Sequence, residues 1–168
     1  MRKHILFMKE FGGKHIYDEV SKIREGLLIK FYYSKTENTF ELVGEKVDFN
    51  LQSGHRAFLK FIFKNVHSYS RQIGLFEASE DAYFDFRADR FPISIVLQEI
   101  AFTPSENFNK LNLWFGESFG GVDISFEAAM VFEKVAYAIQ TGEQEWMYRD
   151  LDHDELVDIY NPFASKDF

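Results

Sequence analysis

Apolar positions recur every three or four residues between 14 and 25. Ile16, Val20 and Ile23 fall on one face and Asp18, Lys22 and Arg24 elsewhere. That spacing predicts an amphipathic helix stopped at Gly26. Leu27 to Tyr33, Thr39 to Val43 and the alternating Val47, Phe49 and Leu51 read as three strands, with turns at 34–38 and Gly44-Glu45. Strands so closely spaced predict an antiparallel meander. Phe58, Leu59, Ile62, Phe63 and Val66 return to helical spacing, with Ser53 as the cap and Arg56, Lys60 and Lys64 on another face.

Further along, Tyr83 to Ala88 and Leu111 to Phe115 alternate with period two and predict strands, while Ile93 to Ala101 is a mostly apolar run. Gly116 and the Gly120-Gly121 pair read as a tight connection. Ser125 to Gln140 carries an apolar stripe of Phe132, Val135, Ala136 and Ile139, widened by Ala128, Ala129 and Val131, and reads as the clearest helix. A last short helix is expected from about Asp152 or His153 to before Pro162. The expected class is α+β: an antiparallel or mixed sheet packed by helices near 14–25, 53–66 and 125–140, with a short C-terminal helix. Neither a linker nor a repeat divides the pattern, so residues 1–168 are expected to form a single globular domain.

Composition supports a folded chain. Hydrophobic residues make up 46% and aromatic ones 18%, with 20 Phe and eight Tyr, which excludes bulk disorder. The rings are enough to fill a core, or to line an interface, a homodimer's included. Cysteine is absent, which excludes disulfides, a thiolate nucleophile and a Cys-based zinc site. Ile5 to Met8 is too short for the apolar region of a signal peptide, so the cytoplasm is the default expectation.

Charge changes the picture most. Residues 81–168 carry 17 acids against six bases, whereas residues 1–80 carry 13 bases against 10 acids. The acid peaks between 143 and 158, where seven carboxylates surround Arg149. A net charge of −8 disfavours broad contact with nucleic acid or an anionic membrane, because such contacts rest on Lys and Arg. One sign of charge with aromatic residues between suits a basic protein partner. The candidate partner-binding residues are therefore Glu143, Glu145, Trp146, Tyr148, Asp150, Asp152, Asp154, Glu155 and Asp158. On a helix Asp154 and Asp158 share a face with Glu155 beside them, while Trp146 and Tyr148 supply a desolvated centre or pin the segment to the core.

Catalytic chemistry finds little footing. The aspartates at 150–158 lack the glycine and the later oxygen ligands of a calcium loop. Histidines at 4, 15, 55, 67 and 153 form no metal-ligating spacing, and no nucleophile elbow, phosphate loop or dinucleotide turn is present. Asp81, Asp85, Asp89 and Glu99 are further acids of interest. His67, Tyr69 and Arg71 share a face only if the chain there is extended. No catalytic residue, metal or cofactor is expected.

In its small size, acidity and freedom from catalytic signatures, the whole chain resembles immunity proteins of bacterial toxin–immunity pairs, as used in contact-dependent competition. That resemblance implies a non-enzymatic cytoplasmic protein that covers the active or substrate-binding surface of a cognate basic toxin of nuclease type. The alternatives are a small hydrolase or nuclease with a dispersed His/carboxylate site, and an adapter subunit for another basic protein.

Overall fold

The computed structural model describes residues 9–11, 13–47, 51, 54–75, 83–85, 95–142, 145–150 and 156–157. Strand β1 (Lys9–Phe11) leads into helix α1 (Gly13–Ser21), followed by β2 (Leu28–Ser34), β3 (Thr39–Lys46) and β4 (His55–Lys64). Next come β5 (Ser68–Gln72), β6 (Tyr83–Asp85), β7 (Glu99–Thr103), β8 (Asn109–Trp114) and β9 (Gly121–Phe126). The chain closes with β10 (Ala128–Gly142), β11 (Glu145–Asp150) and β12 (Leu156–Val157). The class is α+β, and every pairing between these strands is antiparallel.

The large sheet runs β12-β11-β10-β4-β3-β2-β6, with β1 also paired to β10. The small sheet runs β5-β9-β8-β7. Of the segments that join them, two are short and neighbouring. β4 passes into β5 through residues 65–67, and β9 passes into β10 through Glu127 alone. Since β4 pairs with β10 and β5 with β9, both strands leave one sheet for the other at the same corner. Asn65 takes a left-handed φ of 52° there, a conformation that Asn tolerates better than most residues.

The main core fills the space between the sheets. Phe31, Phe40, Leu42, Leu59, Phe61 and Phe63 of the large sheet meet Leu111, Leu113, Val122, Ile124 and Phe126 of the small one. Ile16, Val20 and Ile23 add the buried side of the helical segment, as their spacing predicts. Phe63 meets Phe126 edge-on at 4.8 Å, and Phe31 stacks on Phe115 at 5.8 Å. Eight phenylalanines among the described residues are thus buried, at positions 31, 40, 58, 61, 63, 115, 119 and 126.

Two expected helices do not form, and a third is contradicted where its residues are described. Residues 55–64 are strand β4, not part of a helix over 53–66. β4 lies between β3 and β10, and its two faces meet two apolar clusters, with Phe61 in one and Phe58 in the other. A strand buried on both faces loses its alternation, and Phe58, Leu59, Ile62 and Phe63 then mimic helical spacing. Residues 125–140 are the end of β9 and most of β10, despite their helix-favouring Ala and Glu. Ten register pairs with β4, from Ala128↔Lys64 to Tyr137↔His55, override that local preference. The expected C-terminal helix is contradicted at Leu156–Val157, which pair as a strand with Arg149 and Tyr148.

Smaller differences also have physical reasons. Gly44 does not turn; β3 continues through it, and the missing side chain admits Ile23, whose Cδ1 would lie 2.9 Å from a Cβ at that position. The helix ends at Ser21 and tightens into successive short turns, and Glu25, not Gly26, takes the positive φ of 65°. Val47 lies outside any strand, and residues 48–50 and 86–88 of the expected strands lie outside the described residues.

Candidate functional site

The acidic segment reaches the end of the large sheet. Glu145, Trp146, Tyr148 and Asp150 belong to β11, in register with Gly142, Gln140, Ala138 and Ala136 of β10. Trp146, Tyr148 and Asp150 occupy alternate positions of that strand. Glu143, Asp152, Asp154, Glu155 and Asp158 lie outside the described residues. Between Glu155 and Asp158, Leu156–Val157 is extended, not helical.

The described histidines, at 15, 55 and 67, do not converge. His55 packs edge-on against Tyr137 at 5.5 Å, and His67 Nε2 lies 2.9 Å from Glu127 Oε1. His15 is exposed on α1, while His4 and His153 lie outside the described residues. Among the described residues no group of three or more His, Cys, Asp or Glu could hold a metal ion. The extended arrangement of β5 does put Tyr69 and Arg71 on one face, but that face is the core. Tyr69 stacks on Tyr33 at 4.4 Å. Arg71 lies 5.3 Å from the centre of the Phe31 ring and donates to the carbonyls of Gln72, Gly121 and Phe119. Its guanidinium ties β5 to the turn before β9. Asp85 sits opposite Lys30 on β6, and Asp81 and Asp89 lie outside the described residues.

The corner between the sheets holds a polar network. Asn65 Nδ2 donates to Glu127 Oε2 at 2.7 Å, and Asn109 Nδ2 donates to the Glu127 carbonyl at 3.3 Å. The hydrogen bond from Asn65, then that with His67, holds the Glu127 carboxyl below its ordinary value of 4.5. On the outer side of the large sheet, Glu41 Oε1 lies 2.8 Å from Lys30 Nζ and 3.4 Å from Lys60 Nζ. These are ionic contacts; no hydrogen bond is aligned on that buried oxygen. Both networks bind strand to strand.

A concave site does occur on the small sheet. Its outward row reads Gln72, Gly121, Trp114 and Glu99 across the four strands, and the next row Ser70, Asp123, Asn112 and Ala101. Gly121 has no side chain, and the Trp114 ring runs beside it, with Cε3 3.0 Å from where a Cβ would stand. The result is a trough of about 120 Å³ lined by Gln72, Glu99, Asn112, Trp114 and Asp123. Gln72 Nε2 donates to Asp123 Oδ2 at 2.8 Å, and Asn112 Nδ2 donates to Asp123 Oδ1. Of these residues the sequence pointed to Glu99 alone. The missed signal was the tryptophan on the polar side of an alternating strand, level with a glycine in the next strand.

The tight connection expected at Gly116–Gly121 is present between β8 and β9. Gly116 and Gly120 take φ values of 96° and 73°, and Gly120 N donates to the Gly116 carbonyl at 2.7 Å. Comparison with protein-family models, with curated proteins and with solved structures finds no match for the chain.

Proposed function

We propose that the protein is a non-enzymatic binding module whose acidic C-terminal half engages a basic macromolecule. On the resemblance to immunity proteins, that macromolecule is a toxin domain whose working surface is covered. One observation carries the reading. Tyr148 pairs with Val157 and Arg149 with Leu156, so the described residues of the acid-rich stretch belong to β11 and β12 at the end of the large sheet, which supports the reading. A sheet end is open to a partner in a way that the central β4 and β10 are not. Seven carboxylates in 16 residues raise the rate of encounter with a positive surface, and aromatic residues in the same stretch slow its escape.

The test captures the strongest-bound basic protein by co-expression with proteins encoded next to this chain and titrates it at low and at physiological salt. Affinity is expected to fall as salt rises. Changing Asp154, Glu155 and Asp158 together to Ser is expected to weaken binding and flatten that dependence, with an unchanged circular dichroism spectrum. Equal affinity and equal salt response in the variant would reject the reading. An adapter for another basic protein is separated from it by whether the bound protein is toxic when expressed alone.

A further inference from the structure

We infer that the trough on the small sheet is a socket for one arginine side chain of a basic protein. The inference rests on the proposed function for the nature of the partner, but on separate residues for the site. Size decides first. Pockets that enclose a metabolite or cofactor measure roughly 300–1,000 Å³, whereas this one holds about 120 Å³. It takes the head of a side chain.

Charge decides next. Both Asp123 oxygens accept amide hydrogens, which fixes the Gln72 and Asn112 amides with their nitrogens toward the carboxylate. Their carbonyl oxygens are left as acceptors for something else. Glu99 makes no ion pair among the described residues. The lining thus offers two carboxylates, two amide oxygens and an aromatic face, with no lysine or arginine. Such a lining calls for a cation with many N–H donors.

Shape then separates the two basic side chains. A planar guanidinium stacks on an indole and spreads five donors over separated acceptors; an ammonium matches only the charge. The half-buried Trp114 supplies the stacking face, and its ring keeps its place because Gly121 beside it carries no side chain.

The probe is a blocked tripeptide, acetyl-Gly-Arg-Gly-amide, titrated into the full chain while amide and indole signals are followed by nuclear magnetic resonance. Saturable shifts are expected at the Trp114 indole N–H and the Gln72 and Asn112 side-chain amides. The lysine peptide should bind more weakly, and the citrulline peptide, which keeps the shape but loses the charge, weaker still. Glu99→Gln and Trp114→Leu should each weaken the arginine peptide by about fivefold or more while the melting temperature of Glu99→Gln holds. No saturable shift at these groups, or citrulline binding as well as arginine, overturns the socket. So does a preference for a disaccharide such as maltose over the arginine peptide.

The C-terminal triple serine variant should bind the peptide as well as the parent chain does. Peptide binding retained there, with partner affinity unchanged, leaves the socket standing and rejects the acidic hairpin as the partner surface. Partner affinity lost in that variant, with no peptide binding in the parent, rejects the socket alone.

Discussion

His67 Nε2 and Glu127 Oε1 stand 2.9 Å apart at the point where two strands leave the large sheet for the small one. Asn65 holds the other carboxylate oxygen at 2.7 Å. One glutamate therefore fastens the residues that turn β4 into β5 to the single residue that separates β9 from β10.

The pH dependence of that fastening follows from its sign. The Glu127 carboxyl titrates below 4.5 in the folded chain, through the hydrogen bond from Asn65 first and His67 second. A lowered folded value contributes stability that is present above 4.5 and is lost as pH falls through the folded value. Glu127→Ala is expected to lower the urea midpoint at neutral pH, and parent and variant should converge under strongly acidic conditions. The residue is open to solvent, so the difference is expected to be small and to shrink with salt. A gap that persists unchanged in acid would contradict the assignment.

Phe63 is fully buried and meets Phe126 across the two sheets. Phe63→Ala should cost about 3–5 kcal/mol in chemical denaturation, the range for emptying a phenylalanine site in a core. Tyr32→Ala, at 45% exposure, should cost far less. Similar losses at the two positions would mean that the core does not lie between the sheets.

Arg71 is a structural cation. Its guanidinium donates to three carbonyls and lies 5.3 Å from the centre of the Phe31 ring. Arg71→Ala is expected to destabilise by about 2–3 kcal/mol, the loss of charge-assisted hydrogen bonds to groups left without donors. Arg71→Lys should recover only part of this, because an ammonium cannot reproduce the planar fork. Full recovery by lysine, read from denaturant midpoints, would reduce the residue to a mere charge.

Residues 125–140 are expected to behave in opposite ways alone and in the chain. A synthetic peptide of this stretch should turn helical in trifluoroethanol, since its Ala, Glu and Met favour a helix. The intact protein should give a strand-dominated far-ultraviolet spectrum. A peptide that resists helix formation would show that its strand character is local.

Helix α1 and the turns that continue it were legible because one face is wet: Ile16, Val20 and Ile23 are buried while Asp18 and Lys22 are exposed, so the period survives in the sequence. The same holds for β8, where buried Leu111 and Leu113 alternate with exposed Lys110 and Asn112. β4 and β10 were illegible for a related reason. They run through the middle of the large sheet, and apolar clusters on both faces erase the alternation that marks a strand.

By itself the sequence determined a folded α+β chain, the amphipathic helix near 14–25 and a concentration of acid toward its end, because composition and short-range periodicity are properties of neighbours; it left the rings open between core and interface. The tertiary structure alone decided that residues 128–137 pair with 55–64, and that Gln72, Glu99, Asn112, Trp114 and Asp123 line one trough. Strand pairing is specified by hydrogen bonds and packing between segments far apart in the chain, and nothing within either segment names its partner.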